Sequence, residues 1–436
     1  MLKFAFYLGL SIVGFMGTLV NPCIGAASCI LAYLFNPVAL AIDNHGIRYQ
    51  LWLTAAFIVS VVIHRAAGLP KVGREGRVPM ALWAFVAVAT LTSLWAVHSS
   101  EQALTGVYEL FKTALTATLL IRVVKTERDV RMIVLACLVG GLHAAFMQVL
   151  GPRFGYMPTA DPKEAVPLPD PLAPVMVLLL PVACLVAING RRLERWIAIC
   201  AVPVLVDGLI VTYERAALMG FAAEIPLLLF FLPRRIVVRA GPAVLLAGVL
   251  LFWRFAPSDY WERAATILHP TEEGSAASRF VINQASWAMF SDYPFGVGYN
   301  NYPDVSPRYL AAGYLTEGRR SAHNMYFTIL CETGFPGVLL WLMSFGGALW
   351  LLRRVRKNRR GRSPTPVEVY AMGAEIGLYG WLVVGWTQSF HEVDPAFWFL
   401  ALAVVITRIQ HKQMAEPEKA CDPALDGNDA TEEVLA

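Results

Sequence analysis

Charge is scarce in this chain. Of 436 residues only 16% are Asp, Glu, Lys or Arg and 57% are hydrophobic, whereas soluble domains carry roughly 25% charged residues. That balance argues against a soluble globular protein. The seven cysteines form no CxxC or Cys/His spacing, and none lies between residues 255 and 324, so neither a disulfide framework nor a zinc site is implied. The expected outer loops hold no DxD metal motif, and the chain has no Walker sequence and no serine nucleophile elbow. Any chemistry is therefore expected to be most economical without a metal, and nucleotide-triphosphate and serine-hydrolase chemistry have no support. No period of 20–50 residues appears, which argues against a solenoid. Paired Gly/Pro-broken spans, a hint of a repeat-built transporter, are not visible either. No cleavable signal peptide is expected, because hydrophobic segments simply continue from the N-terminus.

What the chain has in abundance is apolar runs. They fall near 4–20, 23–42, 50–68, 79–97, 104–122, 130–150, 172–189, 196–213, 216–233, 237–254, 325–352, 367–388 and 393–409. A span needs about 20 such residues. The first two runs are short and meet at Asn21-Pro22, so they read as a hairpin that need not cross fully. The expectation is an all-α polytopic integral membrane protein with about 12 spans, 13 being the alternative. Basic residues cluster at Arg65 to Arg77, Arg122 to Arg131, Arg191 to Arg195 and Arg234 to Arg239. The densest cluster is Arg353, Arg354, Arg356, Lys357, Arg359, Arg360 and Arg362. An even number of runs separates each cluster from the next, so one topology puts all of them in the cytoplasm. Loops 43–49, 98–103, 151–171, 255–324 and 389–392 then face outward. Residues 1–411 form one membrane domain that includes the large loop 255–324. Residues 412–436, rich in Asp and Glu, read as a disordered acidic cytoplasmic tail.

The candidate chemistry sits in and around the large outer loop. Arg279, Asn283 and Trp287 recur at i, i+4, i+8 and predict a helix over 279–290. The segment Pro294-Phe-Gly-Val-Gly298 lacks the third glycine of a nucleotide fingerprint and reads as a tight turn. Trp287 and the loop tyrosines are suited to sugar stacking or to the interfacial belt. Arg215 stands at the outer end of a span, where topology disfavours arginine. Its planar fork suits a phosphate, and Arg279 is a second candidate on the same side, with Arg319 and Arg320 adding positive charge. His323 closes the loop at the membrane edge, where an imidazole can move a proton. His391 is also expected outside, in a structural or supporting role. Span count alone would also suit a transporter, but the long outer loop and the outward Arg/His group argue against it.

The spacing His323-Asn324-x9-Gly334-x2-Gly337 resembles the signature of the bacterial O-antigen ligase and O-antigen polymerase superfamily, integral membrane glycosyltransferases. Arg215 at the start of a span, Arg279 followed by Trp287, and Pro294-x-Gly-x-Gly298 are its companion features. The likeness covers roughly residues 200–345. The stretch from Glu262-Arg-Ala-Ala-Thr-Ile to Ser275-Ala-Ala-Ser-Arg279 is similar to ligases associated with exosortase and exopolysaccharide systems. The resemblance implies a C-type glycosyltransferase-like fold and an active site at the periplasmic face of the bacterial inner membrane. It implies a glycan donor on undecaprenyl diphosphate and an acceptor that is lipid A core, protein or another glycan, with no cofactor and no nucleic acid. Arg215 and Arg279 would hold the diphosphate and His323 would act as base, with Asn324, Gly334, Gly337, His391, Arg319, Arg320 and Trp287 in support. The polymerase of the same superfamily is the alternative. Two departures bear on the acceptor. Glu214-Arg215-Ala216 stands where Ser-Arg-Gly is frequent, and Val338 and Leu339 replace threonines found in lipopolysaccharide ligases.

Overall fold

The computed structural model describes residues 2–35, 49–64, 74–154, 172–212, 214–232, 274–316, 318–358, 364–391 and 393–420. Among them the chain is helical, and the isolated bridge between Thr316 and Arg319 is the only strand-like pairing. Apolar segments become helices because hydrocarbon offers backbone groups no other partner. The helices are α1 (Leu2–Val20), α2 (Pro22–Phe35), α3 (Tyr49–Ile63), α4 (Arg77–Leu94), α5 (Ser100–Val123), α6 (Glu127–Phe154), α7 (Leu172–Asn189), α8 (Arg192–Val211) and α9 (Arg215–Phe231). After the outer segment come α10 (Gly274–Asp292), the short α11 (Tyr302–Val305), α12 (Met325–Lys357), α13 (Pro366–Val384) and α14 (Asp394–Ala420).

Six described helices, α4, α5, α6, α7, α12 and α13, are long and apolar enough to cross a membrane. The apolar helices α1 to α3 are shorter. The expected run 237–254 and the first part of the outer loop, 255–273, lie outside the described residues. So do most of the expected loops 43–49 and 151–171. The expected hairpin at Asn21-Pro22 is present, with the Asn21 side chain accepting the Cys23 N–H at 2.8 Å. α14 continues to Ala420, past the boundary expected near residue 412, and residues 421–436 lie outside the described ones.

α13 is the central helix, packed against α7, α9, α12 and α14. It approaches α7 closely through Gly373 and Gly377, where a Cβ would stand 2.7 Å from Val182 Cα and 2.4 Å from the Leu178 carbonyl oxygen. Small residues at such crossings let two backbones meet where no hydrophobic force drives association.

The bundle has two chemically distinct ends. At one, Arg131 pairs with buried Glu194, which also accepts the Tyr370 hydroxyl at 3.0 Å. Arg356 forks onto Glu375 at 2.8 and 3.1 Å, and Arg408 donates to the carbonyls of Ile121 and Val124. Charges removed from water survive only with such partners. This end gathers described members of the basic clusters. The other end carries α10, α11 and the start of α12.

α12 holds the two ends in register, and it is broken. Gly334 has φ 68° and ψ −172°, a conformation essentially restricted to glycine, and Pro336 follows it. The break frees backbone groups that would otherwise pair within the helix. The segment Pro294–Gly298 satisfies them: Val297 N–H donates to the Cys331 carbonyl at 2.8 Å, Gly298 N–H to that of Glu332 at 3.2 Å, and Phe335 N–H to that of Pro294 at 3.1 Å. A Cβ on Gly334 would stand 2.5 Å from the Pro294 carbonyl oxygen. Gly334→Ala is expected to lower stability by about 2 kcal/mol or more, since such a backbone conformation costs a side chain about 1–3 kcal/mol. Gly346→Ala, with nothing within 4 Å, is expected to leave stability unchanged or raised. Thermal unfolding of the two purified variants in detergent distinguishes them, and equal behaviour would contradict this account of the break.

Candidate functional site

The outer segment is built on α10. Its buried face, Ile282, Ala285, Ser286 and Met289, follows helical spacing. Ser286 shares a 2.6 Å hydrogen bond with the Tyr302 hydroxyl, and the Cys331 thiol donates to the Ser286 carbonyl at 3.2 Å. These contacts fasten α10 and α11 to the first part of α12. The helix predicted over 279–290 is present within Gly274–Asp292. The Pro294–Gly298 turn is also present, with positive φ at Gly296 and Gly298, and it serves as the seal on α12.

Fixing α10 in this way places Arg279 beside two other cations. Arg279 is half-buried, and its pKa is lowered first by that burial and then by the charges of Arg215 and Arg320. Arg215 is the first residue of α9. A cation at a helix N-terminus stands against the helix dipole, so local helix stability does not explain it. Arg320 is held by its backbone N–H, which donates to the Ser306 hydroxyl at 3.1 Å, and by Nη1, which donates to the Thr316 hydroxyl at 3.0 Å. Its Nε is buried with no hydrogen-bond partner.

His323 faces the same cluster. It is half-buried and has φ 47°, the left-handed region that a non-glycine residue occupies at some cost. The next residue, Asn324, caps α12, its side chain accepting the N–H groups of Tyr326 and Phe327 at 3.0 and 3.2 Å. The cap explains why Asn follows His in the motif: it starts the helix and turns the preceding residue out of it. His323 Nδ1 lies 3.4 Å from Gln388 Oε1, on the connector between α13 and α14. Burial pushes the imidazole pKa below its ordinary value; the Gln388 contact opposes this, and the charges of Arg320 and Arg279 reinforce it. At neutral pH the ring is therefore uncharged and able to accept a proton.

The remaining sequence candidates separate. Arg319 is 62% exposed and pairs with Asp304 at 3.6 Å, so it belongs to a surface contact beside the cluster. Trp287 is 58% exposed and touches the Phe290 ring. His391 is buried, 4.0 Å from Glu332 and edge-on to Tyr299. Glu332 in turn accepts the Tyr302 N–H at 3.2 Å, so both residues serve the junction of α11 with α12. Gly337 leaves room for Thr333, whose side chain a Cβ there would meet. Sequence reading passed over Gln388 and Glu332. Neither has a local signal, because each acquires a role only from contacts with distant segments.

A cavity of about 600 Å³ lies between α9, α12 and α13. Its walls include Leu227, Phe230, Tyr379 and Val383, with Tyr326 and Trp386 toward the His323 end and Arg353 and the Arg356–Glu375 pair toward the other. Its mostly apolar walls suit a long hydrocarbon chain.

Residues 199–342 match the family model described as O-antigen ligase. The matched segment contains Arg215, Arg279, Arg320 and His323, together with the break at Gly334. It supports the superfamily resemblance and a ligase- or polymerase-type role in surface polysaccharide biosynthesis. Comparison with curated proteins gave no match.

The electrostatics carry a direct prediction. The His323 protonation midpoint, followed by NMR, is expected below 6.5, and Arg320→Ala is expected to move it upward by removing a like charge. A midpoint above 6.5 in the wild type would contradict the arrangement.

Proposed function

We propose that the chain is an inverting, metal-independent membrane glycosyltransferase that moves a glycan from undecaprenyl diphosphate to an acceptor hydroxyl. The observation that carries this reading is the gathering of Arg215 and Arg320 about Arg279, with a neutral His323 beside Arg279 and Arg320. Like charges in a half-buried site repel one another, and an anionic ligand with several phosphate oxygens relieves that repulsion. Arginine offers paired donors to such oxygens and keeps its charge.

In this mechanism the arginines bind the donor's diphosphate while the cavity accepts part of the polyprenyl chain. His323 takes the proton of the acceptor hydroxyl as that oxygen attacks the anomeric carbon. The bond between the anomeric carbon and the diphosphate oxygen breaks on the opposite face, and its electron pair leaves with the diphosphate. The arginines stabilise the charge that develops there. The acceptor is a lipid A core, a protein or a glycan. The site faces the periplasm from the inner membrane, and the positive-inside pattern of the basic loops supports that orientation.

Removing one donor to a developing anion typically costs about 100- to 1,000-fold in rate. Arg215→Ala and Arg279→Ala are each expected to fall by about that factor, and His323→Ala is expected to lose transfer, with all three variants inserting normally into membranes. The assay is transfer of a lipid-diphosphate glycan by the purified protein. Near-wild-type transfer by folded His323→Ala would overturn the mechanism. Activity is also expected to survive chelation of divalent ions; loss in chelator with recovery on adding a divalent metal would reject the metal-free reading.

A further inference from the structure

We infer that Gln388 is a positioning residue for His323, fixing the ring so that Nε2 faces the acceptor as the proton-accepting atom. This rests on the proposed role of His323 as base. Gln388 Oε1 lies 3.4 Å from Nδ1, and an amide oxygen there favours the tautomer that carries its proton on Nδ1 and leaves the lone pair on Nε2.

The connector that carries Gln388 is itself fastened to the start of α12. Met325 N–H donates to the Gly385 carbonyl at 2.8 Å, and the Tyr326 hydroxyl donates to that of Leu382 at 2.8 Å. The hydroxyls of Thr328 and Ser389 are 2.9 Å apart. Gln388 is thus anchored on both sides within a few residues, and its amide is held against a ring whose backbone is already constrained at φ 47°. Precision of this kind is what a base requires, since small misplacements cost rate steeply.

The choice of a neutral amide is also informative. The charged groups facing His323 are Arg320, on its own loop, and Arg279, on α10, with Arg215 of α9 acting on Arg279. Farther along α12, Glu332 is already engaged with His391 and the Tyr302 N–H. A carboxylate at position 388 would hold the imidazole as well as an amide does. It would also stabilise imidazolium and offset the arginine charge needed by the diphosphate. Glutamine orients the ring without either effect.

The test compares Gln388→Glu, Gln388→Leu and Ser389→Ala with His323→Ala, using the full-length protein in liposomes and an undecaprenyl-diphosphate glycan. kcat/KM should rise with pH as His323 loses its proton, so the acid limb marks that step. Gln388→Glu is expected to move the limb to higher pH by about one pH unit, as an opposite charge near a histidine does. Gln388→Leu is expected to lower kcat by about 10- to 100-fold, the scale known for losing a partner that orients a metal-bound histidine, with KM for the donor unchanged. Ser389→Ala loosens the same connector without touching the ring and is expected to leave the limb in place. An unmoved limb in Gln388→Glu, or wild-type kcat in Gln388→Leu, would overturn the positioning role if His323→Ala is inactive. Transfer by His323→Ala would instead overturn the role of His323 itself.

Discussion

The break in α12 at Gly334 is the constraint on which the rest of the site depends. A helix interrupted inside an apolar run exposes carbonyl and N–H groups that hydrocarbon cannot satisfy. Here the partners come from the turn Pro294–Gly298. That turn follows α10 directly, so sealing the helix also sets where α10 sits, and α10 carries Arg279. The same seal orders the path through α11 to Arg320 and His323. One backbone requirement therefore ties an extramembrane segment to the end of a bundle and converts distant residues into neighbours.

Electrostatics then define what the assembled site can do. Burial and the neighbouring charges of Arg215 and Arg320 lower the affinity of Arg279 for its proton, and cations held together in this way form a preorganised field for an anion. The same field, added to burial, keeps His323 uncharged. Cation cluster and neutral imidazole are thus two consequences of one arrangement. Arg319 shows how local the effect is. Thr316 and Arg319 form a backbone bridge, and successive side chains diverge there: Arg319 reaches Asp304 while Arg320 turns toward the cluster.

Much of this was legible in the sequence. Hydrophobic composition gave the membrane class, the i, i+4 pattern gave the helix around Arg279, and the His-Asn-x9-Gly-x2-Gly spacing singled out His323 and Gly334. The glycine's purpose was not legible, because a break and its seal lie far apart in the chain and neither has meaning alone. Gln388 was invisible for a similar reason: a glutamine in a connector has no signature until three hydrogen-bonded anchors bring it to the imidazole. For His391 the sequence allows a structural or a supporting role, and its neighbours in the structure are Glu332 and Tyr299. The helical stretch 412–420 was missed because an acidic composition does not reveal that an apolar helix runs on into it.

Bond-making transfer at this end of the bundle leaves two products that can be followed. The most direct measurement follows both products in liposomes containing the purified protein, an undecaprenyl-diphosphate glycan and acceptor. The proposed mechanism yields free undecaprenyl diphosphate mole for mole with a new glycosidic bond of inverted anomeric configuration. Movement of intact donor across the bilayer with no new glycosidic bond would contradict it.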